Sequence, residues 1–92
     1  MTRITEQHLL ATINRLNRLT GANPAAWTRR KNGALIANVG TYYLDYGFRG
    51  VSLAHILNAQ GGIRQPFGPR TWTKRELADL LDAYIAGMED RP

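Results

Sequence analysis

Cysteine is absent from the 92 residues. That excludes a disulfide framework, a thiolate metal site and a cysteine nucleophile, and it fits a chain that works in a reducing compartment. Long apolar runs are missing as well. No stretch approaches the roughly 18 residues that a membrane-crossing helix needs, and Met1 to Thr12 is polar with isolated apolar residues, unlike the apolar centre of a signal peptide. The expectation is a soluble, unprocessed cytoplasmic protein with no membrane contact. Histidine is scarce. His8 and His55 are far apart in sequence and neither stands in a His-x-x-x-His or paired-carboxylate spacing, so neither a metal nor a cofactor is expected. Ser52, the single serine, has no base beside it in sequence. Gly61-Gly62 lacks the Lys-Ser/Thr that completes a P-loop, and GxGxxG does not occur.

Negative charge is nearly missing from the first three quarters of the chain. Residues 1–75 carry eleven Lys/Arg against two acids, Glu6 and Asp45, a formal +9; residues 76–92 carry one cation against five acids, a formal −4. Soluble domains usually intersperse their signs, so a long basic stretch points to a surface kept for a polyanion. Ten of the twelve cations are Arg. Guanidinium binds phosphate through two parallel hydrogen bonds and stacks on bases, which ammonium cannot do. An Arg bias also follows from a GC-rich genome, and the ratio by itself does not separate the two origins.

What is present reads as one domain over residues 1–92 with a single core of limited depth. Thr5 is placed to cap a helix whose Leu9, Leu10, Ile13, Leu16 and Leu19 share a face, with Asn14, Arg15, Asn17 and Arg18 mostly opposite, before Gly21 and Asn23-Pro24 stop it. Asn32-Gly33 predicts a two-residue hairpin loop between Thr28–Lys31 and Ala34–Val39. Thr41 to Tyr46 is β-branched and aromatic, and Gly40 before it marks either a turn or a bulge. Alternation sets Tyr42 and Tyr46 opposite Tyr43. Gly47 to Gly50 turns the chain into a strand over Val51–Leu57, with Val51, Leu53 and Leu57 available to the core, although Ala54–Asn58 also tolerates helix. Residues 58–72 read as an irregular loop. Thr73 and Glu76 make a capping box ahead of an apolar stripe of Leu77, Leu80, Leu81, Tyr84, Ile85 and Met88. The order is helix, three- to four-stranded antiparallel sheet, helix. This is an α+β fold with both helices on one sheet face and the other face left for solvent or a partner.

Candidate chemistry is thin and candidate binding is richer. His55 is the one residue with a base's chemistry on a strand, but beside Leu53 and Leu57 it reads as structural, and no catalytic residue is assigned; Asp45 reads as a salt-bridge or turn partner. Arg29, Arg30 and Lys31 lead into Asn32-Gly33, which places three cations at the tip of a projecting hairpin; the alternative is a plain solvated tip. Arg64, Arg70, Lys74 and Arg75 surround the long loop and the start of the last helix, where unpaired N–H groups attract anions. Arg49 follows Phe48 in the turn before the fourth strand. Trp27, Phe48, Phe67 and Trp72 interleave with these cations and offer stacking surfaces, although in so short a chain most rings, Trp27 and Trp72 included, are expected to pack.

The α-β-β-β-α order with Lys74 and Arg75 at the last helix is similar to the double-stranded RNA-binding domain; Glu76, Asp79 and Asp82 depart from that family's continued basic run. It also resembles HicA-like ribonuclease toxins, with His55 in the place of the catalytic histidine but without the Gly-Ser-His setting. A closer resemblance is to small proteins of tailed phages and prophages. It is carried by Ala37-Asn38-Val39-Gly40-Thr41-Tyr42-Tyr43-Leu44-Asp45-Tyr46, Gly50-Val51-Ser52-Leu53, Gly61-Gly62-Ile63 and Thr73-Lys74-Arg75-Glu76-Leu77. That group includes anti-CRISPR inhibitors of type I surveillance complexes. The resemblance implies a non-enzymatic inhibitor in the host cytoplasm that contacts crRNA and Cas protein and blocks target DNA. The binding set would be Arg29, Arg30, Lys31, Asn32, Arg49, Arg64, Arg70, Lys74 and Arg75, with Asp79, Asp82 and Glu89 toward basic protein. Monomer and dimer both stay open.

Overall fold

The computed structural model describes residues 4–47 and 49–90; Phe48, read above as a stacking ring, lies outside them. Helix α1 (Glu6–Thr20) begins where the Thr5 hydroxyl accepts the His8 N–H. It ends at Gly21, whose φ of +74° returns its N–H to Arg18 O, a geometry that costs a residue with a Cβ. Leu9, Ile13 and Leu16 are buried as expected. Leu10 and Leu19 are corrected to the exposed margins of that stripe, and Asn17, read as polar-face, lies inside the core. At 100° per residue Asn17 follows Ile13 by one turn and so shares its face.

The Asn32-Gly33 hairpin forms, but with a different loop. Strands β1 (Trp27–Arg29) and β2 (Leu35–Ala37) pair antiparallel, with Arg29 opposite Leu35. Arg30 N–H donates to Ala34 O and Gly33 N–H to Arg30 O, so Lys31 to Gly33 form a three-residue loop. A two-residue I′ or II′ loop would need positive φ at Asn32, its first centre, whereas here only Gly33 has it, at +87°. The Asn32 Oδ1 accepts the Ala34 N–H at 3.0 Å, which holds the longer loop without that strain.

The expected single sheet is two sheets. The β1–β2 hairpin stands apart, and β3 (Tyr42–Gly47), β4 (Gly50–Ile56) and β5 (Ile63–Arg64) form an antiparallel sheet in that order. The break comes at a turn closed by Thr41 N–H to Asn38 O, with Gly40 at φ +93°. Gly40 is thus a turn residue and not a bulge. The segment 58–72 contains more pairing than its sequence signals: β5 pairs with β4, and Trp72 bridges to Val51. Two-residue pairings carry no readable alternation.

Helix α2 (Lys74–Glu89) starts in the expected capping box. Leu9, Ile13 and Leu16 of α1, Tyr42, Val51 and Leu53 of the sheet, and Leu77, Leu81 and Ile85 of α2 make one core between the helices and one sheet face. The chain is therefore an α+β fold with both helices on that face. The far face is not left open as expected, because Ser52, Ala54 and Ile56 of the central strand are buried too. Leu57, expected in the core, is 50 % exposed just past the end of β4. Asp45 sits opposite Ser52 within β3, so it is a strand residue and not a turn partner, and it makes no ion pair among the described residues. No helix is long and apolar enough to cross a membrane, among the described residues.

Candidate nucleic-acid interface

The predicted cations fall into three places. Arg29, Arg30 and Lys31 sit on the β1–β2 hairpin, and all of them are exposed. The hairpin joins the body mainly at its root. There Ala37 N–H donates to Ala59 O, Asn38 Nδ2 to Ala25 O and Thr41 Oγ1 to Asn23 O. Beyond those bonds it is an arm. Arg29 spends one N–H on Gly33 O at 3.2 Å, which fixes its stem along the loop. No carboxylate pairs with Arg29, Arg30 or Lys31 among the described residues. The Asn32 carbonyl is used by the turn, so only its amide N–H₂ is left to meet a ligand.

Trp27, expected to pack, is 46 % exposed. The edge of its ring rests on Gly61, where a Cβ would come within 2.9 Å of Cη2. By strand alternation its open face shares one side of the arm with Arg29 and Leu35. An exposed indole beside guanidinium is a surface on which an unpaired base can stack.

The second group gathers where the β3–β4 turn meets the start of α2. Val51 and Trp72 exchange both backbone hydrogen bonds, at 2.9 and 2.8 Å, and bring Arg49 and the segment Arg70–Arg75 to one end of the sheet. The approach is so close that a Cβ on Gly50 would meet Trp72 O at 2.4 Å. The Arg70 guanidinium lies 4.0 Å above the Trp72 ring. Tyr46, Gly47, Gly50, Val51, Trp72, Thr73 and Lys74 line a groove of about 300 Å³ beside it. Lys74 is exposed at the first turn of α2, whose N-terminal N–H groups favour an anion. Part of that demand is met internally: Glu76 closes the capping box, and the Thr73 N–H on its carboxylate holds its pKa below the usual range.

Arg64 does not join this group, contrary to the sequence expectation. Pairing of β5 with β4 sets it opposite His55 and near Tyr84, about ten residues and some 15 Å along α2 from Lys74. His55 is a wedged residue there. Its ring stacks on Tyr42 at 4.0 Å, and its Nδ1 accepts the Arg64 Nε–H at 2.9 Å. Burial and the adjacent guanidinium lower its pKa, against a bond to the Gly40 backbone that raises it. A proton acceptor at Nδ1 would first have to give up Arg64.

The acids separate likewise. Asp79 and Asp82 are exposed on α2, while Glu89 is engaged by Arg15 across the helix–helix seam. Glu89 therefore has a role inside the fold that its sequence position did not signal. Among the described residues, no three His, Asp or Glu side chains gather as metal ligands do. Sequence reasoning passed over Tyr42 and Tyr84, whose hydroxyls meet at 3.0 Å, because each reads as a core position of its own element. Comparison of the chain with models of protein families, with curated proteins and with solved structures finds no match.

Proposed function

We propose that the protein is a non-enzymatic binder of a nucleic-acid-containing partner, with the β1–β2 arm as its principal contact. The observation that carries this reading is the arm itself: three cations without carboxylate partners among the described residues, held away from the body beside a half-exposed indole. The second group, Arg49, Arg70, Lys74 and Arg75, lies at the opposite end of the sheet. The six-residue β3 alone spans roughly 20 Å, so one partner touching both groups covers about six base-pair steps of duplex or the equivalent strand. The phage resemblance narrows the partner to an RNA-guided surveillance complex. There the cations lie on crRNA, Asp79 and Asp82 face basic Cas protein, and target DNA is kept from hybridising.

The test is binding of purified type I surveillance complex and of free RNA and DNA, with and without reversal of Arg29, Arg30 and Lys31 to Glu. Stoichiometric binding of the complex with loss of target-DNA hybridisation, abolished in a folded triple variant, supports the inhibitor. The exposed Trp27 favours a second reading, a module that binds free nucleic acid; retention of free strands but not of the complex selects it. A folded triple variant that binds as the parent does removes the arm from both.

A further inference from the structure

Against the later half of α2 opens a cleft of about 450 Å³, lined by Tyr42, Arg64, Ala83, Tyr84, Gly87 and Met88. It belongs to neither cation group of the proposed interface. The Arg64 guanidinium is gripped from the protein side, Nε by His55 Nδ1 at 2.9 Å and Nη2 by the Tyr84 hydroxyl at 3.4 Å. Both acceptors are neutral, and no carboxylate pairs with Arg64 among the described residues. Of five guanidinium N–H groups two are spent on these acceptors and the Tyr42 hydroxyl also draws on the guanidinium, which leaves at least two for whatever enters the cleft.

The two tyrosines add to this. Their hydroxyls share a single contact of 3.0 Å, which uses one of two O–H protons. Tyr84 oxygen already accepts from Arg64, so whichever hydroxyl donates to the other, one proton is left without an acceptor within the pair. Ala83, Gly87 and Met88 bring no charged side chain. The cleft is thus rich in donors, and none of the described residues that line it is an anion. Its donors are also held in place: His55 stacks on Tyr42, and Tyr84 meets both Tyr42 and Phe67 edge-on, at 6.0 and 5.4 Å. Little ordering remains to be done when a ligand binds.

The geometry points to a binding site for a phosphate monoester, taken by the outer edge of Arg64 and the free hydroxyl proton of the Tyr42–Tyr84 pair. A guanidinium edge matches two phosphate oxygens and the hydroxyl serves a third, which a planar carboxylate does not offer. The phosphate can come from a free mononucleotide or from the 5′ end of a strand.

The test is NMR of the full chain, titrated at constant ionic strength with inorganic phosphate, adenosine monophosphate, and a short strand with and without a 5′-phosphate. Saturable shifts at Arg64 Nε, the His55 ring and Tyr84 are expected, with the His55 titration midpoint moving upward as the anion offsets Arg64. Arg64→Gln is expected to weaken binding about tenfold, the loss of one charge-assisted pair, while Arg18→Gln on the exposed side of α1 leaves phosphate binding unchanged. Tighter binding of the mononucleotide assigns the site to a free ligand, and tighter binding of the phosphorylated strand assigns it to a strand end; both support the site. Should Arg64→Gln fail to fold, Tyr84→Phe removes one oxygen and carries the same test. Absence of saturable shifts, shifts confined to the arm, or undiminished binding by a folded Arg64→Gln or Tyr84→Phe variant overturns it. Arg64 would then serve only the carboxyl end of α2, where no basic residue of the helix itself sits.

Discussion

Asn17 uses both ends of its amide on one residue of β3: Nδ2 donates to Tyr42 O at 3.0 Å and Oδ1 accepts the Tyr42 N–H at 2.8 Å. β3 is an edge strand, and this side chain does for it what a neighbouring strand would do. Replacing Asn17 by Leu keeps the branched shape but leaves the buried Tyr42 N–H and C=O without partners. The expected cost is about 2–4 kcal/mol, read as a lower urea midpoint at unchanged slope. His55 gives a second prediction at this scale. Its folded pKa lies below the ordinary 6.5, so between the two values the unfolded chain binds the extra proton. The contribution is complete above pH 6.5 and is lost as pH falls through the folded value. Urea titrations from pH 8 to pH 5 are expected to show that decline in the parent and a flatter profile in His55→Gln. Tyr42, pushed up to about 12 chiefly by burial, acts at the other end: its contribution holds below pH 10 and fades as pH rises toward 12.

Among the elements, α2 carries its own start signal. The Thr73 hydroxyl accepts the Glu76 N–H at 3.1 Å while Glu76 accepts the Thr73 N–H at 3.0 Å. Thr73→Ala is expected to cost about 1 kcal/mol, measured by thermal unfolding, with Thr73→Ser near neutral. The junction of β4 with Trp72 is less forgiving. A methyl at Gly50 collides with backbone, so Gly50→Ala is expected to force Trp72 away from Val51, change the near-UV tryptophan signal and lower stability by more than Gly21→Ala. At Gly21 nothing lies within 4 Å and only the positive φ is strained, at roughly 1 kcal/mol. The β1–β2 arm differs from both. Its contacts with the body are few, so surface changes on it are expected to alter binding while leaving the melting temperature nearly fixed.

For the molecule as a whole, shape and charge act together. The molecule, arm included, is flat, 48 × 38 × 22 Å along its principal axes, and the two proposed cation groups lie at opposite ends of its larger sheet. If the arm lies on phosphates, log affinity for free nucleic acid falls linearly with log salt, each phosphate contact adding about 0.7 to 0.9 to the slope. Reversing Arg29, Arg30 and Lys31 is then expected to reduce that slope by about 2 to 3, read from filter binding at several salt concentrations. An unchanged slope would place the contact elsewhere on the surface.

What the sequence determined by itself is what local chemistry decides. Thr5, Gly21, Thr73 and Glu76 act within one turn of chain, so both helices, their N-caps and the end of α1 were legible, as were the hairpin at Asn32-Gly33 and the segregation of charge. The tertiary structure decided everything that depends on a partner distant in sequence. Asn17 became a core residue because Tyr42 presents an open strand edge, a contact across 25 positions that helical spacing does not reveal. The turn at Gly40 split the expected sheet in two and made the first hairpin an arm. Strand pairing of two residues drew Arg64 away from Lys74 and onto His55, and Glu89 went to Arg15 across 74 positions. Local rules choose elements; which polar groups meet is decided when buried donors and acceptors must find partners in the packed chain.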